Sequence, residues 1–97
     1  MEALNRKPNL TAKKSMKLSD GTAIDVVSIT ARKMMDIANN KRLTDVERGM
    51  HITAAKILVN GKPIVYDDML DGFTDTEINE IVRFANDIDE GDGIKNG

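Results

Sequence analysis

Two copies of one helix-start signature frame the second half of this chain. Thr44-Asp45-Val46-Glu47 and Thr74-Asp75-Thr76-Glu77 each place a Thr three residues before a Glu. In such a capping box the Thr oxygen accepts from an orphan backbone N–H three residues on. The Glu carboxylate in turn accepts from the Thr N–H. Two helix starts are thereby fixed. The segment Asn60-Gly61-Lys62-Pro63-Ile64-Val65-Tyr66-Asp67-Asp68-Met69-Leu70 lies between them.

Hydrophobic spacing supplies the other elements. Met16 to Val26 reads as a hairpin around Asp20-Gly21. A two-residue loop would split the large apolar residues between the two faces. A three-residue loop, Ser19-Asp20-Gly21, pairs Leu18 with Thr22 and Met16 with Ile24. Met16, Leu18, Ile24 and Val26 then share one face, so this register is expected. Ser28 or Thr30 caps a short helix whose apolar stripe is Ala31, Met34, Met35 and Ala38. Arg32, Lys33 and Asp36 face away. Asn39-Asn40 ends it, Asn being tolerant of a left-handed helix terminus.

A second helix starts at Thr44 with the stripe Leu43, Val46, Met50, Ala54 and Ile57. Gly49 inside it suggests either close approach of another backbone or a neutral substitution. Two readings compete at residues 57–65. The helix runs to about Leu58, or Ile57-Leu58-Val59 and Lys62-Pro63-Ile64-Val65 form a second hairpin on Asn60-Gly61. The helix is preferred, because the stripe continues through Ile57 and Pro63 weakens a strand. Tyr66 to Leu70 makes about one helical turn, closed by Gly72. The last helix starts at Thr74, with Phe73 and Ile78 as a hydrophobic staple and the stripe Ile78, Ile81, Val82, Ala85 and Ile88. The expected fold is α+β and mainly helical, an N-terminal β-hairpin followed by three or four helices.

Ninety-seven residues allow one domain. Residues 1–14 are polar and basic and read as a flexible arm. Residues 90–97 are Gly-rich and polar and read as a disordered tail. A single small globular domain is left at 15–89. A core of that size is only marginally stabilising, and the chain has no Cys to add a disulfide or a thiolate metal site. Self-association into a homo-oligomer is a further expected source of stability. No apolar run approaches the ~20 residues of a bilayer span, and no signal-peptide core is present. A cytoplasmic protein without a membrane partner is expected.

Charge is uneven. Arg6, Lys7, Lys13, Lys14 and Lys17 crowd the start, and Asp and Glu dominate residues 66–97. The arm reads as solvated rather than as a nucleic-acid contact, since no aromatic interleaves its basic residues and the net charge is -2.

Catalytic and cofactor chemistry finds no support. His51 is the single histidine and reads as a surface helix residue. Asp67-Asp68 suits a helix start rather than a carboxylate pair. Asp87 to Asp92 resembles the start of a calcium loop but has Asp92 where Gly is required. No enzyme, cofactor or metal site is expected. Met34, Met35 and Met50 lie on core stripes, so packing is their expected role. Two apolar residues lie off their stripes. Ile52 is nearly opposite the Val46–Met50–Ile57 face, and Phe84 is a quarter-turn from the Ile78–Val82–Ala85 face. They are the candidate partner-binding residues.

From Lys17 to about Ala85 the chain resembles the small tail assembly chaperones of contractile-tailed bacteriophages, the E-protein type. The hairpin Lys17-Leu18-Ser19-Asp20-Gly21-Thr22, the basic helix start Thr30-Ala31-Arg32, the Asn60–Leu70 segment and Thr74-Asp75-Thr76-Glu77-Ile78 carry the resemblance. Val65 departs from it, standing where the family has a capping Thr or Ser. The resemblance implies a non-enzymatic protein of the host bacterial cytoplasm. It would coat the helical tape-measure protein before the tail tube polymerises around it. It also implies a possible longer form made by translational frameshifting. The alternatives are a structural or adaptor component of a phage tail or baseplate, and a small nucleic-acid-binding regulator using the basic arm.

Overall fold

The structure is a computed structural model that describes residues 6–11 and 14–95, with side chains described as far as Asn86. Part of the expected basic arm therefore lies outside the described residues. The fold is α+β and mainly helical. In chain order it runs β1 (Lys14–Lys17), β2 (Ala23–Val26), α1 (Ala31–Ala38), α2 (Asp45–Ala55), β3 (Ile57–Val59), β4 (Lys62–Pro63), α3 (Tyr66–Gly72) and α4 (Asp75–Lys95). The strands form one antiparallel sheet in the order β1-β2-β3-β4.

The first hairpin has the three-residue register. Met16 pairs with Ile24, and the Leu18 N–H donates to the Thr22 carbonyl at 2.9 Å. Gly21 supplies the left-handed residue with φ 92°. Asp20 Oδ1 accepts from the Thr22 N–H at 3.0 Å, which holds the Asp20 carboxyl below its ordinary pKa. Leu18, Ile24 and Val26 are buried and Met16 is half-buried on the shared face. On the opposite face Ser15 donates to its cross-strand partner Asp25.

The sheet has four strands, not two, and this corrects the helical reading of residues 57–58. α2 stops at Ala55, and Ile57–Val59 pairs with β2 on one side and β4 on the other. Asn60 (φ 51°) and Gly61 (φ 82°) are both left-handed, the geometry of a two-residue primed turn whose twist matches a hairpin. Pro63 does not oppose this. The flanking pair Val59–Lys62 closes the turn. Leu58–Pro63 is the next pair, whose N–H direction on β4 points away from β3. β4 is also the sheet edge, so the missing N–H of Pro63 costs no ladder bond. Ile57, 1% exposed, is buried as a strand residue just as the helical stripe required. Its burial therefore did not discriminate between the two readings.

The core lies between the sheet and the later helices. Leu18, Ile24, Ala54, Ile57, Met69, Ile78 and Ile81 form one buried cluster, with Phe73, Ile64 and Val82 packed against it. Ile78, Ile81 and Ala85 carry the α4 stripe as expected, while the Ile88 side chain lies outside the described residues. Both capping boxes form. At α4 the Glu77 N–H donates to Thr74 Oγ1 at 3.1 Å, and the Thr74 N–H donates to Glu77 Oε1 at 2.9 Å. Val65 caps α3 with no side-chain hydrogen bond, as its departure from Thr or Ser implies. The backbone of α4 continues helical to Lys95, beyond Glu90 where the composition reading begins a disordered tail.

Helix α1 departs from expectation. Thr30 caps it by accepting from the Lys33 N–H at 3.2 Å. Its stripe, however, is not core. No α1 residue is buried, Met35 is 54% exposed, and the half-buried positions are Met34 and Ile37. Only one edge of the apolar face meets the body. The helix ends at Asn39 with φ -93°, so the expected left-handed asparagine is not used there.

Thr74→Ala removes the acceptor that satisfies an orphan amide at the start of α4. It is expected to lower stability by ~1 kcal/mol in chemical denaturation. Gly61→Ala forces a Cβ into a left-handed position and is expected to cost about 1 kcal/mol, read by the same measurement.

Candidate functional site

An open cleft with helical walls lies between α2 and α4. It has a volume of 350 Å³ and is lined by Asp45, Val46, Gly49, Met50, Ile52 and Thr53 on α2 and by Asn79, Val82 and Asn86 on α4. The local sequence explains its openness. Gly49 projects no side chain into it, and a Cβ added there meets nothing within 4 Å. No backbone of this chain approaches Gly49 closely, so the first of the two readings for that glycine finds no partner within the described residues.

Val46 belongs to the expected core stripe of α2 but is 71% exposed. The stripe is divided. Ala54, at its C-terminal end, is buried, while Val46 opens into the cleft. Thr53, 6% exposed, is buried without cost because its hydroxyl donates to the Gly49 carbonyl at 2.9 Å. The cleft lining thus combines Val46, Met50, Ile52 and Val82 with the polar Asp45, Asn79 and Asn86.

The α2 start, which lines the cleft through Asp45 and Val46, is built tightly. The Glu47 N–H donates to Thr44 Oγ1 at 3.1 Å, and the Thr44 N–H donates to Glu47 Oε1 at 2.8 Å. The Arg48 guanidinium donates to the Asn40 carbonyl and pairs with Asp45 at 2.7 Å. The bond from the Thr44 amide holds the Glu47 carboxyl below its ordinary pKa, with the Thr44 hydroxyl and His51 adding to the effect.

Of the two residues singled out by their wheel positions, Ile52 lines the cleft and is half-buried. Phe84 does not join it. Phe84 is half-buried elsewhere on α4, with the Lys14 ammonium 4.2 Å from its ring centroid. The Lys14 stem lies on the core face of the sheet edge, so this contact ties α4 to β1. The two candidates therefore occupy separate surfaces.

His51 has a role that its sequence context did not signal. Its ring stacks on Tyr66 with centroids 3.6 Å apart and planes 5° apart. This joins α2 to the first residue of α3, and both rings are half-buried. A lone His and a lone Tyr on different helices carry no periodic signature. Among the described residues no group of three His, Asp or Glu gathers to hold a metal ion. No described helix is long and apolar enough to cross a membrane.

Two outcomes are expected. Because the folded pKa of Glu47 is depressed, its capping contribution is complete above the ordinary glutamate range. It is lost as pH falls through the folded value. The Thr44 amide shift in NMR should titrate with the Glu47 carboxyl, and Glu47→Gln should abolish that titration while keeping the cap. His51→Ala is expected to lower stability by about 1 kcal/mol through loss of the stack, read by thermal unfolding.

Comparison of the chain with protein-family models, curated proteins and solved structures finds no match.

Proposed function

We propose that this protein is a phage tail assembly chaperone that holds helical segments of a tape-measure protein before the tail tube polymerises. The observation that carries the reading is the α2–α4 cleft, an apolar groove between two helices with a glycine in its lining. A helix seated there covers Val46, Met50, Ile52 and Val82, and Gly49 lets its backbone approach. The resemblance through Lys17-Leu18-Ser19-Asp20-Gly21-Thr22 and the Asn60–Leu70 segment supplies the partner class. An unassembled helical ruler exposes apolar stripes, and a small partner that covers them keeps it soluble.

Substitution at Gly49 separates binding from folding. The Cβ of Gly49→Leu meets no described atom within 4 Å, and the substitution replaces a poor helix former with a good one. It should raise stability by up to ~1 kcal/mol. The new side chain fills the cleft. Co-purification with a co-expressed tape-measure protein should fall at least about tenfold. Unchanged co-purification would remove the cleft from the mechanism. Failure of the wild-type chain to bind or solubilise the ruler would remove the chaperone assignment. A chaperone is also expected on unassembled ruler and absent from finished tails. Retention in purified tails would make the protein a structural or adaptor component instead.

A further inference from the structure

A second apolar trough separates α1 from the body. One end is lined by Leu10, Val27, Ile29, Leu58, Pro63 and Ile64. The other end reaches Ile37, His51 and Tyr66, and the two ends share Lys33, Ala54, Ala55 and Ile64 as walls. The trough exists because α1 meets the body along one edge of its apolar face. Leu10 is the one residue of segment 6–11 that reaches it. That segment forms no strand or helix. Among the described residues no hydrogen bond ties it to the rest of the protein. Thr11 bonds only to Asn9, two residues away. Leu10 is 45% exposed, so more than half of its surface is covered.

We infer that segment 6–11 is a reversible cover over this trough in the same molecule, with Leu10 as its plug. A single partly covered Leu favours the docked state by only about tenfold. The short connection from Thr11 to β1 keeps the plug near its seat and makes the intramolecular contact effective. Arg6 and Lys7 are exposed on the docked arm, so the cover presents a basic outer surface over an apolar floor. Any apolar ligand of the trough competes with the arm. This inference stands independently of the tail-assembly reading.

The test uses the full chain with Leu10→Asp, and Leu10→Met as a variant that keeps an apolar plug. Wild type should show nuclear Overhauser contacts from the Leu10 methyls to Ile64 or Val27. Anilinonaphthalene sulfonate should bind several-fold more strongly to Leu10→Asp than to wild type or Leu10→Met, with cooperative unfolding kept in all three. Absence of the Leu10 contacts would overturn the cover. Equal dye binding by Leu10→Asp and wild type would overturn it as well. Contacts seen only between differently labelled molecules in a mixed sample would place the arm on a second copy and overturn the intramolecular arrangement.

Discussion

Asn60 holds the middle of this protein together. Its left-handed backbone, φ 51°, turns β3 back into β4. Its N–H donates to the Ala23 carbonyl at 2.8 Å, and its side-chain oxygen accepts from the Ala23 N–H at 3.0 Å. One residue therefore closes the second hairpin and fastens it to the first. The Val27 N–H, donating to the Lys56 carbonyl, closes the other end of the same β2–β3 pairing. The position of this pairing decides where α2 must stop. It also places Ile24 and Ile57, both essentially unexposed, at the centre of the core. Met69, Ile78 and Ile81 of the later helices complete the cluster.

The apolar side chains are not spread evenly around that centre. The sheet, α3 and α4 share the buried cluster, whereas α1 contributes no buried residue to it. α2 sits between these extremes. Its C-terminal half is core through Thr53 and Ala54, and its N-terminal half borders an open cleft through Val46 and Gly49. A small domain cannot bury every apolar face it carries. Here Val46 opens into the α2–α4 cleft and Leu10 and Val65 line the trough beside α1, while Met35 and Leu70 are exposed outside both. The tail-assembly role proposed above uses the α2–α4 cleft.

Edges and ends are handled by simple chemistry. The edge strand β1 carries Lys14 and Lys17, and β4 is two residues long with Lys62 and Pro63. Lysine, proline and short length all discourage pairing with another chain's edge. The Lys14 ammonium over Phe84 gives one of these edge charges a packing role as well.

Local rules account for what was legible in the sequence. The Thr44 and Thr74 boxes, the Gly21 turn and the hairpin register depend on residues at most a few positions apart and formed as read, and Thr30, one of the two candidates, caps α1. The α4 stripe was legible because one period persists over several turns and its face meets the core. Residues 57–63 were ambiguous because Ile57 is buried in either conformation. Pro63 became harmless only once β4 was an edge. The burial of α1 was misjudged because an amphipathic stripe states which face is apolar, not whether anything covers it. The same holds for Val46. The wheel position of Ile52 was legible, while the cleft it lines, the His51–Tyr66 stack and the separation of Phe84 from Ile52 arise from elements distant in sequence. The chain by itself determined its turns, caps and helix starts, since those bonds are local. Only the tertiary structure decided which apolar faces stay open, because that depends on where α1, α2 and α4 come to rest against one sheet.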